Sequence, residues 1–221
     1  MTKKQRADEI VRRLWAEYPV AECQLNYSAP HELLIATRLS AQCTDKRVNM
    51  VTPALFERYK SVDDFAAADA HDVEKYVKSC GLYKTKAADI VNMCISLRDN
   101  FGGRVPDTME ELTSLSGVGR KTANLILGDI YHLPAYVCDT HCIRITGRLG
   151  ITDGSTDPLQ VERQLRVSIP PEESSDFCHR MVLFGRDICS ARSPKCGECP
   201  LQSDCSFAKK AVGKKASAKK Q

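Results

Sequence analysis

The sequence predicts an all-α fold. Apolar residues recur at helical spacing through most of the chain, capping residues and glycines stand where such helices should begin and end, and alternating β-branched runs are missing. Ala7, Ile10, Val11, Leu14 and Tyr18 form the first stripe, on one face of an amphipathic helix. The segment around Leu33, Leu34, Ile35, Ala36 and Leu39 is apolar nearly all round, which predicts a central, buried helix. Val48, Val51 and Leu55 mark the next. Asp69 with Asp72 reads as a helix start, and Gly81 stands where that helix should stop. Ala87, Ile90, Val91, Cys94, Leu97 and Phe101 make a longer stripe that ends at Gly102. Asp107 with Glu110 opens a helix over about 107–115, and Ala123, Ile126, Leu127 and Ile130 lie on one over about 120–133. Tyr136-Val137-Cys138 is at most a short extended link before a helix over 140–149. Asp157-Pro158 starts another helix, and Phe177, Met181 and Phe184 mark the last. There is no internal repeat.

Length and charge bound the function. The chain has 221 residues, room for one or two ordinary domains. No run approaches the roughly 18 apolar residues of a membrane span. The N-terminus is basic at Lys3, Lys4, Arg6, Arg12 and Arg13, but Asp8, Glu9 and Glu17 lie among the bases and no apolar core of a signal peptide is present. We expect a cytoplasmic protein, nucleoid-associated in a bacterium, with no membrane partner and no heptad pattern to make it other than a monomer. The formal net charge of +4 hides an asymmetry. Residues 209–221 carry six lysines and no acid, so the rest of the chain has 26 basic against 28 acidic residues. The tail reads as a disordered polybasic arm, either adding salt-sensitive, nonspecific DNA affinity or simply solvated with no specific role, and any nucleic-acid affinity of the body must come from local patches.

The 11 cysteines fall into two sets. Seven are scattered (23, 43, 80, 94, 138, 142 and 178), as buried thiols in a reducing compartment would be. Cys189, Cys196, Cys199 and Cys205 cluster within 17 residues, which points to a metal centre. Zinc usually takes two close cysteine pairs, and only one is present, whereas an iron–sulfur cluster accepts looser spacing; both remain open on spacing alone. Arg192 and Lys195 lie between the first two of these cysteines, in a loop that a bound metal would hold against phosphate.

The most informative stretch is Leu115-Ser116-Gly117-Val118-Gly119-Arg120-Lys121. Two glycines around one small apolar residue, between two predicted helices, make a helix-hairpin-helix element. Its exposed amides favour phosphate without reading sequence. Lys121 follows at once, where an amine can serve as a nucleophile if its surroundings favour the free base. Asp139 lies eighteen residues further on, ahead of Thr140-His141, as the cap of the next helix or as a carboxylate facing the lysine.

These residues resemble the endonuclease III family of DNA glycosylase/AP lyases, from about residue 5 to 207. The resemblance rests on Leu39-Ser40-Ala41-Gln42-x-Thr44-Asp45, Gly81-Leu82-Tyr83-x-x-Lys86-Ala87, Leu115-x-Gly117-Val118-Gly119-Arg120-Lys121-Thr122-Ala123-Asn124, Val137-x-Asp139-Thr140-His141 and the four clustered cysteines. Two positions depart from the usual pattern. Ser116 stands where a proline is common, which loosens the hairpin, and Cys138 stands where a valine-like residue is typical.

The resemblance implies a two-domain helix-hairpin-helix glycosylase fold. A six-helix barrel domain over 23–133 carries the hairpin. A second domain joins 1–22 to 134–211 and holds a [4Fe–4S] cluster on Cys189, Cys196, Cys199 and Cys205. The implied partner is double-stranded DNA with a damaged base or abasic site, lying across the cleft between domains where Lys121 and Asp139 meet. Gly117, Val118, Gly119, Arg120, Arg192 and Lys195 are implied to meet its backbone. Gln42, Leu82 and His141 are implied to fill the gap left by an extruded nucleotide; read alone they would be a helix-end amide, a core leucine and a first-turn histidine. The implied reaction removes oxidised or ring-saturated pyrimidines through a Lys121 Schiff base and cuts 3′ to the abasic site by β-elimination, with Asp139 stabilising charge on the sugar and helping to deprotonate the lysine. Two alternatives differ in the key residues. Monofunctional adenine or T·G mismatch glycosylases of the same superfamily lack a lysine at the position of Lys121. A non-catalytic DNA-binding or redox-sensing scaffold would not be expected to keep both Lys121 and Asp139.

Overall fold

A computed structural model of the chain describes residues 3–209; the lysine-rich tail from 210 onward lies outside them. Among the described residues the regular structure is entirely helical, with α1 at Lys3–Glu17, α2 at Pro30–Ser40, α3 at Asp45–Arg58, α4 at Val62–Ala66, α5 at Ala70–Val77, a single 3₁₀ turn at Lys78–Cys80, and α6 at Tyr83–Phe101. Then follow α7 at Met109–Ser114, α8 at Arg120–Asp129, α9 at Thr140–Leu149, α10 at Pro158–Ser168 and α11 at Ser174–Asp187. None of these helices is long and apolar enough to cross a membrane.

The chain divides into two compact units, Cys23–Leu133 on one side and Met1–Glu22 with Pro134–Gln221 on the other. In the first unit α2 is the central helix, packed against α3, α6 and α8. Leu33, Leu34, Ile35, Ala36 and Leu39 have no exposed surface. Burying each of the larger ones contributes about 1.5–3 kcal/mol. The longest helix, α6, packs on α4 and α5, and α7 pairs with α8 across the hairpin. In the second unit α11 packs on α9 and α1, and α1 also meets α10.

Local chemistry sets the boundaries. Asp69 caps α5 by accepting from His71 N–H at 2.9 Å, and Asp157 caps α10 ahead of Pro158. The start expected at Asp107 lies one residue later. Thr108 is the cap, and its hydroxyl both accepts from Glu111 N–H and donates to the Glu111 carboxylate. The helix expected over 120–133 ends at Asp129, and the stripe through Tyr18 overruns α1 by one residue. Tyr18 precedes Pro19, which disfavours helical backbone at the residue before it, whereas α8 gives way to a left-handed His132 at φ +53 with Leu133 N–H returning to Leu127 C=O at 2.9 Å.

Candidate DNA-binding and catalytic site

The hairpin between α7 and α8 is built around Val118. Its side chain is buried at 7% exposure and its N–H bonds to Leu115 C=O at 3.2 Å, while Gly117, Gly119, Arg120 and Lys121 on either side are exposed. Anchoring the middle residue thus turns the flanking backbone outward. Gly117 sits at φ +72, where a Cβ would stand 2.6 Å from Arg38 Nε and 3.0 Å from an Asp89 oxygen. Gly119 is different: it has extended backbone as the N-cap of α8, and no atom lies within 4 Å of where its Cβ would be. That side is therefore open to solvent at the positive end of α8.

Ser116 is not the loosening that a lost proline suggests. Its hydroxyl donates to Asp89 Oδ1 at 2.9 Å, and Arg38 donates to Asp89 Oδ2 through Nε at 2.8 Å and a terminal nitrogen at 2.6 Å. One carboxylate on α6 therefore ties the hairpin to α2. The ion pair is mostly buried, with side-chain exposures of 14% and 20%, so it is worth more than a surface pair.

Lys121 is exposed in the first turn of α8, two residues past the N-cap Gly119. Asp139, in the other unit, is the N-cap of α9; its Oδ1 accepts from Cys142 N–H at 2.8 Å. The cap uses one oxygen of a carboxylate that is partly exposed.

Gln42 and Leu82 share an unusual backbone. They lie at φ +54 and +46, and His132 is the only other non-glycine at positive φ among the described residues. The left-handed conformation costs an L-residue about 1–2 kcal/mol, and such strain concentrates at functional positions. Leu82 is 59% exposed, so it is not a core leucine. Gln42 follows α2 and is exposed as well. His141, in the first turn of α9, backs onto Gly185 of α11, where a Cβ would stand 2.2 Å from Nδ1, and Arg144 donates to that nitrogen at 3.2 Å.

The cysteine loop hangs on α9. Arg144 donates to Cys189 C=O, and Arg148 donates to Ser190 C=O and Ala191 C=O at 2.8 Å each and to Cys189 Sγ at 3.3 Å. Ala208 N–H donates to Cys205 Sγ at 3.4 Å. Burial pushes the Cys199 thiol up to about 11, with Cys189, Cys205 and Cys196 as further neighbours. Cys189, Cys196 and Cys205 thus all lie near Cys199, yet among the described residues no three His, Cys, Asp or Glu side chains converge on a single metal ion. A lone tetrahedral zinc would draw its sulfurs to about 3.7 Å apart. A four-iron cluster gives each thiolate its own iron, so an all-sulfur donor set that is close but not convergent, with N–H groups aimed at two sulfurs, fits the larger group. Arg192 and Lys195 are exposed on this loop, and Lys195 lies 3.7 Å from Asp187.

Comparison with known proteins agrees with this architecture. The HhH-GPD superfamily base excision DNA repair protein family matches residues 35–171, and the iron–sulfur binding domain of endonuclease III matches residues 189–205. The class is thus that of helix-hairpin-helix base-excision repair proteins. Endonuclease III of Synechocystis sp. is 46% identical over 205 residues, covering 92% of this chain and 93% of the relative. Solved structures of a non-covalent endonuclease III–DNA complex and of a trapped endonuclease III–DNA covalent intermediate each superpose with a TM-score of 0.90 at 42% identity. Both cover 96% of this chain; the match spans 99% of the first solved chain and 100% of the second. The chain belongs to the endonuclease III family, and its cofactor is a [4Fe–4S] cluster.

Several contributors to this arrangement carry no signal in the sequence. Arg38, Asp89, Arg144, Arg148 and Gly185 read as ordinary helix residues, and their partners lie up to 51 positions away.

Proposed function

We propose that this chain is a bifunctional base-excision enzyme: a DNA glycosylase for oxidised or ring-saturated pyrimidines in duplex DNA and a lyase at the abasic site that results. The observation that carries the reading is Lys121, exposed at the positive end of α8 directly after a hairpin whose flanking backbone is open to solvent. The Gly117 and Gly119 amides with Arg120 hold the phosphates, so the strand is gripped without regard to sequence; Val118, expected among the contacts, instead anchors the turn, its N–H spent on Leu115 C=O and its side chain buried. The damaged nucleotide leaves the stack, at a cost of a few kcal/mol that is least for a base that pairs poorly. Gln42, Leu82 and His141 fill the gap. The Lys121 amine attacks C1′, the N-glycosidic bond breaks, and the base departs with the bonding electrons and a proton. The sugar ring opens to a Schiff base with the lysine. Loss of a 2′ proton then expels the 3′ phosphate by β-elimination, and water releases the lysine. Asp139 supplies negative charge for the cationic sugar.

Cys189, Cys196, Cys199 and Cys205 hold the [4Fe–4S] cluster, which when bound supplies a rigid crosslink for the 189–205 loop. Arg192 and Lys195 on that loop meet the DNA backbone. We read the enzyme as a cytoplasmic monomer.

Borohydride trapping on a duplex with one thymine glycol tests the assignment. Wild type should give a covalent protein–DNA adduct and Lys121→Gln none, with DNA binding retained. An adduct with Lys121→Gln would place the nucleophile elsewhere. No adduct with wild type, here or on an abasic duplex, would mean a monofunctional glycosylase and turn the search to mismatched bases.

A further inference from the structure

Lys86 is buried without any exposed surface, the only charged side chain so placed in the Cys23–Leu133 unit, and the reaction above does not use it. Taking an ammonium out of water costs several kcal/mol, and an apolar residue of the same length would fill the space without that cost. What Lys86 does instead is bridge two carbonyls. Its Nζ donates to Leu39 C=O at 2.8 Å and to Cys80 C=O at 2.6 Å. These carbonyls lie at the ends of α2 and of the 3₁₀ turn, where orphan C=O groups favour a cation.

The placement of the two carbonyls is the informative part. Leu39 stands three residues before Gln42, and Cys80 two residues before Leu82. Gln42 and Leu82 are two of the three exposed non-glycine residues with left-handed backbone among those described, His132 being the third. The same two segments also bring the Cys43 thiol close enough to Cys80 to help raise it, after burial. One buried ammonium thus fastens the bases of two strained loops that are forty residues apart in sequence.

We propose that Lys86 is a positioning residue for nucleotide extrusion: its ammonium fixes the spacing of the Gln42 and Leu82 loops, so that both side chains enter the duplex as one unit. The inference rests on Gln42 and Leu82 as gap-filling side chains. Lys86→Met keeps length and burial and removes the donors. Its single-turnover rate should be measured on a thymine glycol duplex and on a single-stranded abasic oligonucleotide, where no stacked partner has to be displaced. Duplex excision should fall about 10- to 100-fold, the penalty of an ångström-scale misplacement, while single-strand cleavage is unchanged. Gln42→Ala and Leu82→Ala should be non-additive in the wild-type background and additive beside Lys86→Met.

A parallel loss on both substrates, or no loss on either, overturns the proposal. If Lys86→Met does not fold, Lys86→Gln, which keeps one amide donor, runs through the same comparison with the same outcomes. Should Gln42→Ala and Leu82→Ala themselves leave the duplex-to-single-strand ratio unchanged, the gap-filling reading is what has failed. Should they change it while Lys86→Met does not, the failure belongs to the role given to Lys86.

Discussion

Gly117→Ala and Gly119→Ala should part company, although the two glycines are a residue apart. At Gly117 the backbone lies at φ +72, which costs an alanine about 1–2 kcal/mol. The new methyl would also stand 2.6 Å from Arg38 Nε and 2.7 Å from its Cδ. The guanidinium must move, and with it go the 2.8 and 2.6 Å bonds to Asp89, a charge-assisted interaction worth about 1.5–3 kcal/mol. Together these come to about 3–5 kcal/mol, or a melting temperature lower by about 6–20 °C in a chain of this size. At Gly119 no atom lies within 4 Å and the backbone is ordinary, so the only stability loss is that of a poorer N-cap, about 1 kcal/mol. Its methyl instead occupies the side a phosphate must approach. DNA affinity should fall about 10- to 100-fold, the equivalent of one charged hydrogen bond. Calorimetry and fluorescence anisotropy at one fixed salt concentration read the two effects separately. Wild-type melting of Gly117→Ala would refute the Arg38–Asp89 brace, and wild-type affinity of Gly119→Ala would refute phosphate contact at the hairpin.

Asp139→Asn should keep the α9 cap, since asparagine caps as well as aspartate, and lose base excision; Asp139→Ala should lose about 1 kcal/mol of stability as well. Full single-turnover excision by the asparagine variant would reduce Asp139 to a cap. Ser116→Ala removes the hydroxyl that donates to Asp89 and should destabilise the chain by about 1 kcal/mol in urea unfolding, whereas a neutral effect would show that the hairpin needs no such tie. Arg148→Ala takes a donor from Cys189 Sγ and two from the loop carbonyls, so iron and sulfide per chain should fall and the visible cluster absorbance should decay faster in air. Unchanged cluster content and lifetime would show that the cysteine loop holds itself.

Helix identity was legible in the residues because an amphipathic stripe is a local, repeated signal. The buried α2, the capping aspartates at 69, 139 and 157, and the hairpin all follow from residues within one or two turns of one another. Boundaries slipped where a neighbouring residue competed, as Thr108 did with Asp107, or where a proline cut the stripe short. The residues proposed to fill the extrusion gap are singled out only by family resemblance. A leucine in sequence reads as core, and nothing in its neighbours says that Leu82 takes a left-handed backbone and faces solvent.

By itself, then, the chain determines its longer helices, the helix-hairpin-helix with Lys121 after it, and the four-cysteine loop, because each depends on spacing over a few residues, whereas the five-residue α4 is too short to show a stripe. Only the tertiary structure decides what holds these parts in register. Asp89 with Arg38 and Ser116, Lys86 with the carbonyls of Leu39 and Cys80, and Arg148 with the Cys189 loop are pairings across 6 to 51 residues. A lysine or arginine carries the same charge whether it points into water or into a buried carbonyl. Burial, which removes the competing water, is what turns those charges into fastenings, and burial exists only once the helices have packed.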